Sequence, residues 1–415
     1  MSKKIIVVVA SLDTKGAEAG LIANIIEKRG HECVLVDVGI LGEPAARATV
    51  TREEVAREAG GDFDSLRKRA NKAEAMDVMT RGVALIAARL HKRGGLHAIV
   101  GIGGSAGTAI ATSAMRALPI GVPKIMVSTV AAGDTRPYVG TKDITMMYSV
   151  VDIAGINRIS ARILANAAGA AVGMADTEIP SSGDRPIIAA SMFGNTTPCV
   201  DRARELLTAK NYEVLVFHAT GVGGATMESL INDRLVDGVF DVTTTEWADE
   251  LCGGVFAAGP HRLEAAAATG IPQVVAPGCL DMVNFAAPET VPARYAKRNL
   301  YRWNANVTLM RTDVDENRRL GEIIAGKLNG ATGPTRVLLP LRGLSQLDSV
   351  GHEFWSPEAD EALFHSLRTH LRKDIPLVDI DANINDTEFA DQATRHLLEL
   401  IGMSHLSRQS ARSTH

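Results

Sequence analysis

Aromatic residues are scarce in this 415-residue chain, at 4% of the total, and no apolar run approaches the roughly 18 residues of a membrane span. Basic residues number 44 against 48 acidic ones, so the chain lacks the positive excess that neutralises long nucleic acid. The sequence therefore predicts no membrane partner and no binding of long nucleic acid through overall charge. The overall charge does not exclude a local basic patch on the surface.

Cysteine is rarer still, and its four positions are far apart, at Cys33, Cys199, Cys252 and Cys279. No Cys-x-x-Cys pair suggests zinc or thioredoxin-like chemistry, so we expect buried thiols in a reducing compartment. The first apolar run, Ile5 to Ala10, is short and is soon followed by Asp13, which favours a first strand over a signal peptide. We expect a cytoplasmic protein.

Hydrophobic residues reach 46%, with 38 glycines, which is typical of an α/β fold whose strands are rich in Val, Ile, Leu and Ala. The length predicts two domains. The aliphatic run Ile5 to Ala10, a helical pattern over Ala17 to Arg29 and a strand over Cys33 to Val38 make one β-α-β unit. The same alternation restarts at Ile187, so we expect two α/β lobes facing a cleft.

The domain boundary is predicted in the Pro-, Gly- and Ser-rich segment 179–186. This gives an N-terminal subdomain over 1–182, a C-terminal subdomain over 183–405 and a polar, disordered tail over 406–415.

A long, charged and helix-rich insertion spans residues 39–95 in the first half. It contains a capping box at Thr51 and Glu54. Because it is longer than a crossover needs, the insertion covers a sheet face, caps a ligand or meets a partner subunit.

A glycine-rich turn follows the apolar run that begins at Ala98, in the sequence AIVGIGGSAGT. In an open α/β sheet such a turn lies at the carboxyl edge, where backbone N–H groups point outward. The spacing differs from GxGxxG, because residue 106 is alanine, and from GxxxxGK[ST], because no lysine follows. The motif predicts either a phosphate cradle or a tight structural turn.

Two further polar loops are expected at the same edge, SLDTKG at 11–16 and STVAAGDTRPYVGT at 128–141. Lys15 lies just ahead of a helix N-terminus, where a cation suits a phosphate. Asp13 and Thr14 suit Mg²⁺ or a ribose, or cap the helix. Asp37 is spaced like a ribose-binding acid but lacks the accompanying glycine fingerprint. Three such loops at one edge predict a site for a phosphorylated ligand.

The second half offers titratable groups near predicted strand ends as weak candidates for acid or base catalysis. These candidates are Glu246, His261, Asp281, Asp348 and His352. No pair has a diagnostic spacing, and each histidine also suits a hydrogen-bonded structural role. A serine hydrolase is excluded by the lack of a GxSxG elbow. Beyond Asp13 and Thr14, the sequence leaves the ligands of a metal ion unknown.

Several long motifs in order resemble the Tm-1-like ATP-binding family, also called UPF0261, over the chain to about residue 400. They are SLDTKG, GIGGSAGT, STVAAGDTRPYVGT with SVVDIAGIN, and APGCLDMVNF. The resemblance implies two Rossmann-like subdomains with mostly parallel sheets flanked by helices, ATP binding with Mg²⁺, and a homodimer. The positions it assigns to nucleotide contact are Asp13, Thr14, Lys15, Gly103, Gly104, Ser105, Gly107, Thr108, Ser128, Thr129, Gly133 and Thr135.

These features favour an ATP-dependent enzyme acting on a small-molecule second substrate held between the lobes. One alternative is a non-catalytic ATP-binding regulatory or interaction module. The other is an enzyme that binds a sugar phosphate without a nucleotide.

Overall fold

The structure is a computed structural model that describes residues 3–69, 71–178, 183 and 185–413, the last nine of them by backbone alone. Contacts divide the chain into Met1–Ser181, called unit 1, and Ser182–His415, called unit 2. Most of the linker predicted at 179–186 lies outside the described residues. Each unit has a parallel sheet flanked by helices, which confirms the predicted fold class.

Unit 1 is built on five parallel strands: β1 (Ile5–Ala10), β2 (Glu32–Asp37), β3 (Ala98–Gly103), β4 (Lys124–Ser128) and β5 (Thr145–Tyr148). Their order is β2-β1-β3-β4-β5. Because β1 pairs with both β2 and β3, successive connections leave it in opposite directions. This reversal opens a crevice at the carboxyl ends of β1 and β3.

The helices of unit 1 are α1 (Leu12–Lys28), α2 (Arg52–Glu58), α3 (Phe63–Arg69), α4 (Lys72–Lys92), α5 (Ser105–Arg116), α6 (Arg136–Val139) and α7 (Arg158–Asp176). Apolar residues of α1 and α7 cover one sheet face, and those of α2 to α5 cover the other. The insertion forms α2 to α4. Its capping box is confirmed, because the Thr51 hydroxyl accepts from the Glu54 amide and the Glu54 carboxylate accepts from the Thr51 amide.

Unit 2 has six parallel strands: β6 (Ile187–Met192), β7 (Glu213–His218), β8 (Gly238–Thr243), β9 (Gln273–Gly278), β13 (Thr335–Pro340) and β14 (Leu377–Ile380). Their order is β14-β13-β9-β8-β6-β7, which reverses next to β6. An antiparallel sheet follows β9 in the chain, with β10 (Met282–Phe285), β11 (Leu300–Asn304) and β12 (Val307–Arg311).

The helices of unit 2 are α8 (Thr197–Ala209), α9 (Val222–Asn232), α10 (Glu246–Cys252), α11 (Ala265–Thr269), α12 (Val314–Leu328), α13 (Pro357–His370) and α14 (Thr387–Ser413). Helix α14 continues to Ser413, within the segment 406–415 for which the sequence predicted disorder. Residues 414 and 415 lie outside the described chain. Every described helix is too short or too polar to cross a membrane.

Candidate functional site

A cavity of about 410 Å³ opens where the strand order of unit 1 reverses. The residues that line it at the strand ends are Ser11, Asp13 and Thr14 after β1, and Ala106, Gly107 and Ile110 after β3. Open α/β sheets bind ligands at this point, and the volume lies within the usual range for small-molecule sites. The structure therefore brings the first two of the three predicted loops together.

The helical insertion forms the opposite wall of this unit 1 cavity. Helix α3 contributes Leu66 and Arg67, and Asn71 together with the first turns of α4 contributes Lys72, Ala75 and Met76. The insertion therefore both covers a sheet face and lines a cavity, which are two of the three roles considered for it. The sequence analysis did not predict these residues. The basic segment 67–72 was the signal that could have indicated Arg67 and Lys72.

The cavity wall combines an apolar part with two cations. Its apolar side chains are Val38, Ile40, Leu41, Leu66, Ala75, Met76 and Ile110. The Arg67 guanidinium lies 3.4 Å from the Glu43 carboxylate in an exposed pair, and such pairs are weak. The lining residues therefore leave Arg67 and Lys72 able to face an anionic ligand.

The first turn of α5 offers unpaired backbone donors. Gly104 is the N-cap residue and gives no side-chain cap. The amides of Ser105, Ala106 and Gly107 donate no hydrogen bond within the described residues, and the first intrahelical bond runs from Thr108 to the Gly104 carbonyl at 2.8 Å. Because Ala106 and Gly107 line the cavity, donors that favour an anion face it.

Asp13 fastens the loop after β2 and does not cap its own helix. Its Oδ2 accepts from the amides of Leu41 at 2.9 Å and Gly42 at 3.0 Å. Its Oδ1 is buried without a hydrogen-bond partner in the described chain. Among the described residues it is the only acidic side chain lining the cavity.

Asp37 caps α1 from the neighbouring strand. Its Oδ1 accepts from the amides of Leu12 at 2.9 Å and Gly39 at 2.8 Å. Burial raises the pKa of this carboxyl, and the two backbone hydrogen bonds oppose the rise. Because Asp37 is 1% exposed and does not line the cavity, the geometry gives it a structural role in place of the ribose contact suggested by its spacing.

Lys15 points to a different loop. Its Nζ donates to the Ile153 carbonyl at 2.7 Å, and nearby Glu18 accepts from the Gly155 amide at 2.7 Å. Both side chains thus hold the loop that follows β5. Lys15 is not among the cavity residues, so the structure places this cation apart from the proposed anion donors.

The third loop packs against the second and stays out of the cavity. The hydroxyls of Thr108 and Ser128 are 2.7 Å apart and buried, and Ser128 also accepts from the Val130 amide. The Thr129 amide donates to the Gly103 carbonyl at 3.3 Å. Gly133 and Thr135, also predicted here, lie beside the exposed Asp134–Arg136 ion pair.

In unit 2, the glycine turn TGVGGAT at 220–226, which follows β7, is occupied by a carboxylate of the same chain. The Glu246 Oε1 accepts from the amides of Gly221 at 2.8 Å and Gly224 at 3.1 Å. Its Oε2 accepts from Arg262 at 2.7 Å. A Cβ added to Gly224 would lie 1.9 Å from Oε2, so glycine is required for this approach. Glu246 is therefore a structural anion.

Arg262 is the centre of a buried cluster of charges and is 1% exposed. Besides Glu246 it donates to Asp241 at 2.7 Å and to Glu228 at 3.1 Å. Burial raises the pKa of Glu228 and Glu246, and the charge of Arg262 opposes the rise. A buried cation among three acidic side chains holds together β8, α9 and α10.

Asp281 and Asp348 meet around Ser345 in the closed interior. The Ser345 hydroxyl donates to Asp281 at 2.8 Å and accepts from the Asp348 amide at 3.0 Å. Burial, followed by the nearby Asp348 charge, raises the pKa of Asp281 to about 7. Both carboxylates are fully buried, whereas His261 and His352 are exposed. The five catalytic candidates thus do not converge on an accessible site.

Two domain models of one family match the chain. The N-terminal domain of the uncharacterised protein family UPF0261 matches residues 4–180, and its C-terminal domain matches residues 185–401. The chain belongs to the UPF0261 family. It is 52% identical to a UPF0261 protein of Clostridium tetani, covering 97% of this chain and 100% of that protein. It is 45% identical to a UPF0261 protein of Rhizobium meliloti, covering 94% and 97%.

The predicted resemblance to the UPF0261 family is confirmed, and a tomato protein is also similar to the chain. The chain is 41% identical to the ToMV resistance protein Tm-1 of Solanum lycopersicum over 82% of its own length, but it spans only 46% of that protein. A solved putative UDP-N-acetylglucosamine 2-epimerase from Listeria monocytogenes aligns at 11% identity over 94% of each chain, with a TM-score of 0.22. A likeness at that level carries no argument about the ligand of this UPF0261 protein.

Proposed function

We propose that this UPF0261 protein binds ATP, together with Mg²⁺, in the unit 1 cavity. One observation carries the proposal: unpaired amides of α5 and an apolar wall face the same cavity, at the reversal point of the sheet. A nucleotide has both a flat apolar base and an anionic chain of phosphates. The cavity offers a matching surface to each part.

The base would lie against the apolar part of the wall, formed by Ile40, Leu66 and Met76 among others. The phosphates would take the amides of Ala106 and Gly107, with Arg67 and Lys72 supplying charge from the insertion. A sugar phosphate would use the donors but would leave the apolar wall without a partner. The wall therefore favours a nucleotide over the sugar-phosphate alternative.

Asp13 is the residue that fits Mg²⁺. Its Oδ1 is buried and unpartnered in the described chain, and Mg²⁺ commonly binds through one or two carboxylates together with substrate phosphates. The metal would screen the phosphate charge from the carboxylate when bound. Asp13 would also hold the ion next to the loop after β2, through its bonds to Leu41 and Gly42.

A non-catalytic ATP-binding module is the second candidate, and the enclosure of the unit 2 acids favours it. Glu246, Asp281 and Asp348 are buried and engaged in structural bonds, so they are poorly placed to act on a substrate. Incubation with labelled ATP and a metabolite extract separates the two. Label transfer to a metabolite that is lost in the Arg67→Ala/Lys72→Ala variant would identify an enzyme acting on a second substrate, whereas hydrolysis without the extract would identify an ATPase.

Calorimetry with ATP and Mg²⁺ tests the binding proposal. We expect Arg67→Ala/Lys72→Ala to weaken ATP by about 1.5–3 kcal/mol, the usual value of a charged hydrogen bond. Lys92→Ala, an exposed cation at the far end of α4 that does not line the cavity, is the matched control. Equal affinity in both variants, or tighter binding of glucose 6-phosphate than of ATP, would contradict the proposal.

We also propose a cytoplasmic homodimer. Exposed apolar side chains at the two ends of α7 support it, with Ile159 at 51% and Met174 at 42% exposure, and Leu85 of α4 is similarly exposed. Strand β5 leaves one edge of the unit 1 sheet unpaired among the described strands. Light scattering should give twice the chain mass for the wild type and less for Ile159→Asp.

A further inference from the structure

A second cavity, of about 230 Å³, lies at the carboxyl ends of β6 and β7 in unit 2. Four ring side chains form its walls: Phe193 after β6, His218 at the end of β7, Phe256 after α10, and Trp303 from β11. The antiparallel sheet after β9 thus supplies one wall of the cavity and the parallel sheet another. We call it the aromatic pocket.

The rings of the aromatic pocket are arranged edge to face. The centroid of Phe193 lies 5.4 Å from that of His218 and 6.1 Å from that of Phe256, with interplanar angles of 75° and 65°. Trp303 remains 46% exposed. A flat ring in the pocket would make the same offset or edge-to-face contacts with these side chains, which an aliphatic group cannot make.

One polar group in the pocket lacks the partner that its burial demands. Asn195 lines the pocket and is 1% exposed. Its side-chain nitrogen contacts only the Met282 thioether, at 3.6 Å, and its Oδ1 has no donor in the described chain. A thioether is a weak acceptor, and an unsatisfied buried amide oxygen costs about 1–3 kcal/mol. A ligand N–H that reached the Asn195 Oδ1 would offset part of that free energy.

The same region does not suit a phosphate. The amides of Gly221 and Gly224, which open α9 beside the pocket residue Thr220, already donate to Glu246. No lysine or arginine lines the pocket among the described residues. The pocket therefore offers a phosphate neither a free backbone donor at this turn nor a basic side chain.

We propose that the aromatic pocket binds a planar heteroaromatic group of one or two rings that donates an N–H to Asn195. The cavity volume of about 230 Å³ accommodates such a group. This assigns unit 2 its own ligand, of a class distinct from nucleotide phosphates. The inference stands whether or not unit 1 binds ATP, because it uses only residues of unit 2.

Three small probes of similar size separate the parts of this proposal. They are indole, which is flat and has an N–H, benzofuran, which is flat and has none, and cyclohexylmethanol, which is not flat. In saturation-transfer NMR and calorimetry we expect indole to bind and benzofuran to bind about fivefold more weakly, as expected for one lost hydrogen bond. We expect no binding of cyclohexylmethanol. Failure of indole to bind, or equal binding of all three probes, would overturn the proposal.

Variants locate the bound probe. Trp303→Ala should weaken indole about tenfold, as expected for one lost aromatic contact, while Trp303→Phe should retain most of the affinity. Trp355→Phe, which lies outside the pocket, is the control. Asn195→Leu should abolish the preference for indole over benzofuran. If Asn195→Leu does not fold, the Trp303 pair still decides, since unchanged affinity in Trp303→Ala places the probe elsewhere.

Discussion

The Lys15 ammonium donates to the Ile153 carbonyl at 2.7 Å, across 138 residues of sequence. This bond fastens the first turn of α1 to the loop that follows β5. The backbone of Lys15 is non-helical within α1, with φ −135° and ψ 24°, so the helix is kinked at the residue that makes this bond. A residue whose sequence context suggests phosphate binding is thus engaged in holding two loops of unit 1 together.

Replacement of Lys15 by methionine separates the two roles. We expect Lys15→Met to lower the free energy of unfolding by about 1–2 kcal/mol, since a charged hydrogen bond is lost while the aliphatic stem is kept. ATP affinity should stay within about twofold of wild type by calorimetry, a difference under 0.5 kcal/mol. A tenfold loss of ATP affinity with unchanged urea unfolding would return Lys15 to the nucleotide site.

Gly103 and Gly104 provide a matched pair of substitutions in the central glycine turn. A Cβ at Gly103 would lie 2.8 Å from the Gly107 Cα, whereas the nearest atom to a Cβ at Gly104 is the Thr129 hydroxyl at 3.7 Å. Gly103→Ala should destabilise unit 1 by about 1–3 kcal/mol through overpacking, and Gly104→Ala by less than about 1 kcal/mol. Equal melting temperatures for the two variants would show that β3 and α5 have room to separate.

The Arg262 cluster should be far more sensitive than the surface ion pairs. Arg262→Met leaves Asp241, Glu228 and Glu246 buried without their cation, at an expected cost of about 3–5 kcal/mol. The control is Arg342→Met, which breaks the exposed pair with Asp381 and should cost less than about 1 kcal/mol. Urea unfolding measures both. Similar costs would mean that the cluster's desolvation is not compensated by Arg262.

The pH dependence of stability follows from the buried acids of unit 2. Burial first, and neighbouring charges second, raise the pKa of Asp281 to about 7, and burial raises that of Asp249 to about 7. Between their unfolded values near 4 and these folded values, the folded chain binds more protons than the unfolded chain. The stabilisation that these two groups contribute should therefore be complete below about pH 4 and should decline as the pH rises to about 7.

Asp281→Asn tests this sign. The amide keeps an oxygen for the Ser345 hydroxyl and removes the titration, so the fall in unfolding free energy between pH 5 and pH 8 should be smaller than in wild type. Urea titrations at the two values measure the difference. An unchanged slope would mean that Asp281 titrates alike in the folded and unfolded states.

Local pattern was enough to predict β1, β2 and β3, the two α/β units and the capping box of α2, because each depends on residues close together in sequence. The two glycine loops that meet at the unit 1 cavity were predictable for the same reason, since parallel strands end at one edge. The side chains that complete the cavity were not: Arg67 and Lys72 reach it only because α3 and α4 fold back over the sheet.

Two of the predicted site residues have partners that lie far away in the sequence. The Glu246 carboxylate reaches amides 22 and 25 residues earlier, and Lys15 reaches a carbonyl 138 residues later. Spacing along the chain carries no information about such long-range partners. The three antiparallel strands were also missed, in part because β11 is mostly exposed and lacks a buried apolar pattern.

The Glu246 carboxylate accepts hydrogen bonds from the amides of the glycine turn of unit 2, so these amides need no dissolved anion as a partner. At the first turn of α5, no described side chain does the same for unit 1. An anion that binds there adds a concentration-dependent increment to the unfolding free energy of unit 1. The thermal stability of the unit 2 turn should therefore not depend on dissolved anions. That of the first turn of α5 in unit 1 should rise with the concentration of an anion that binds there.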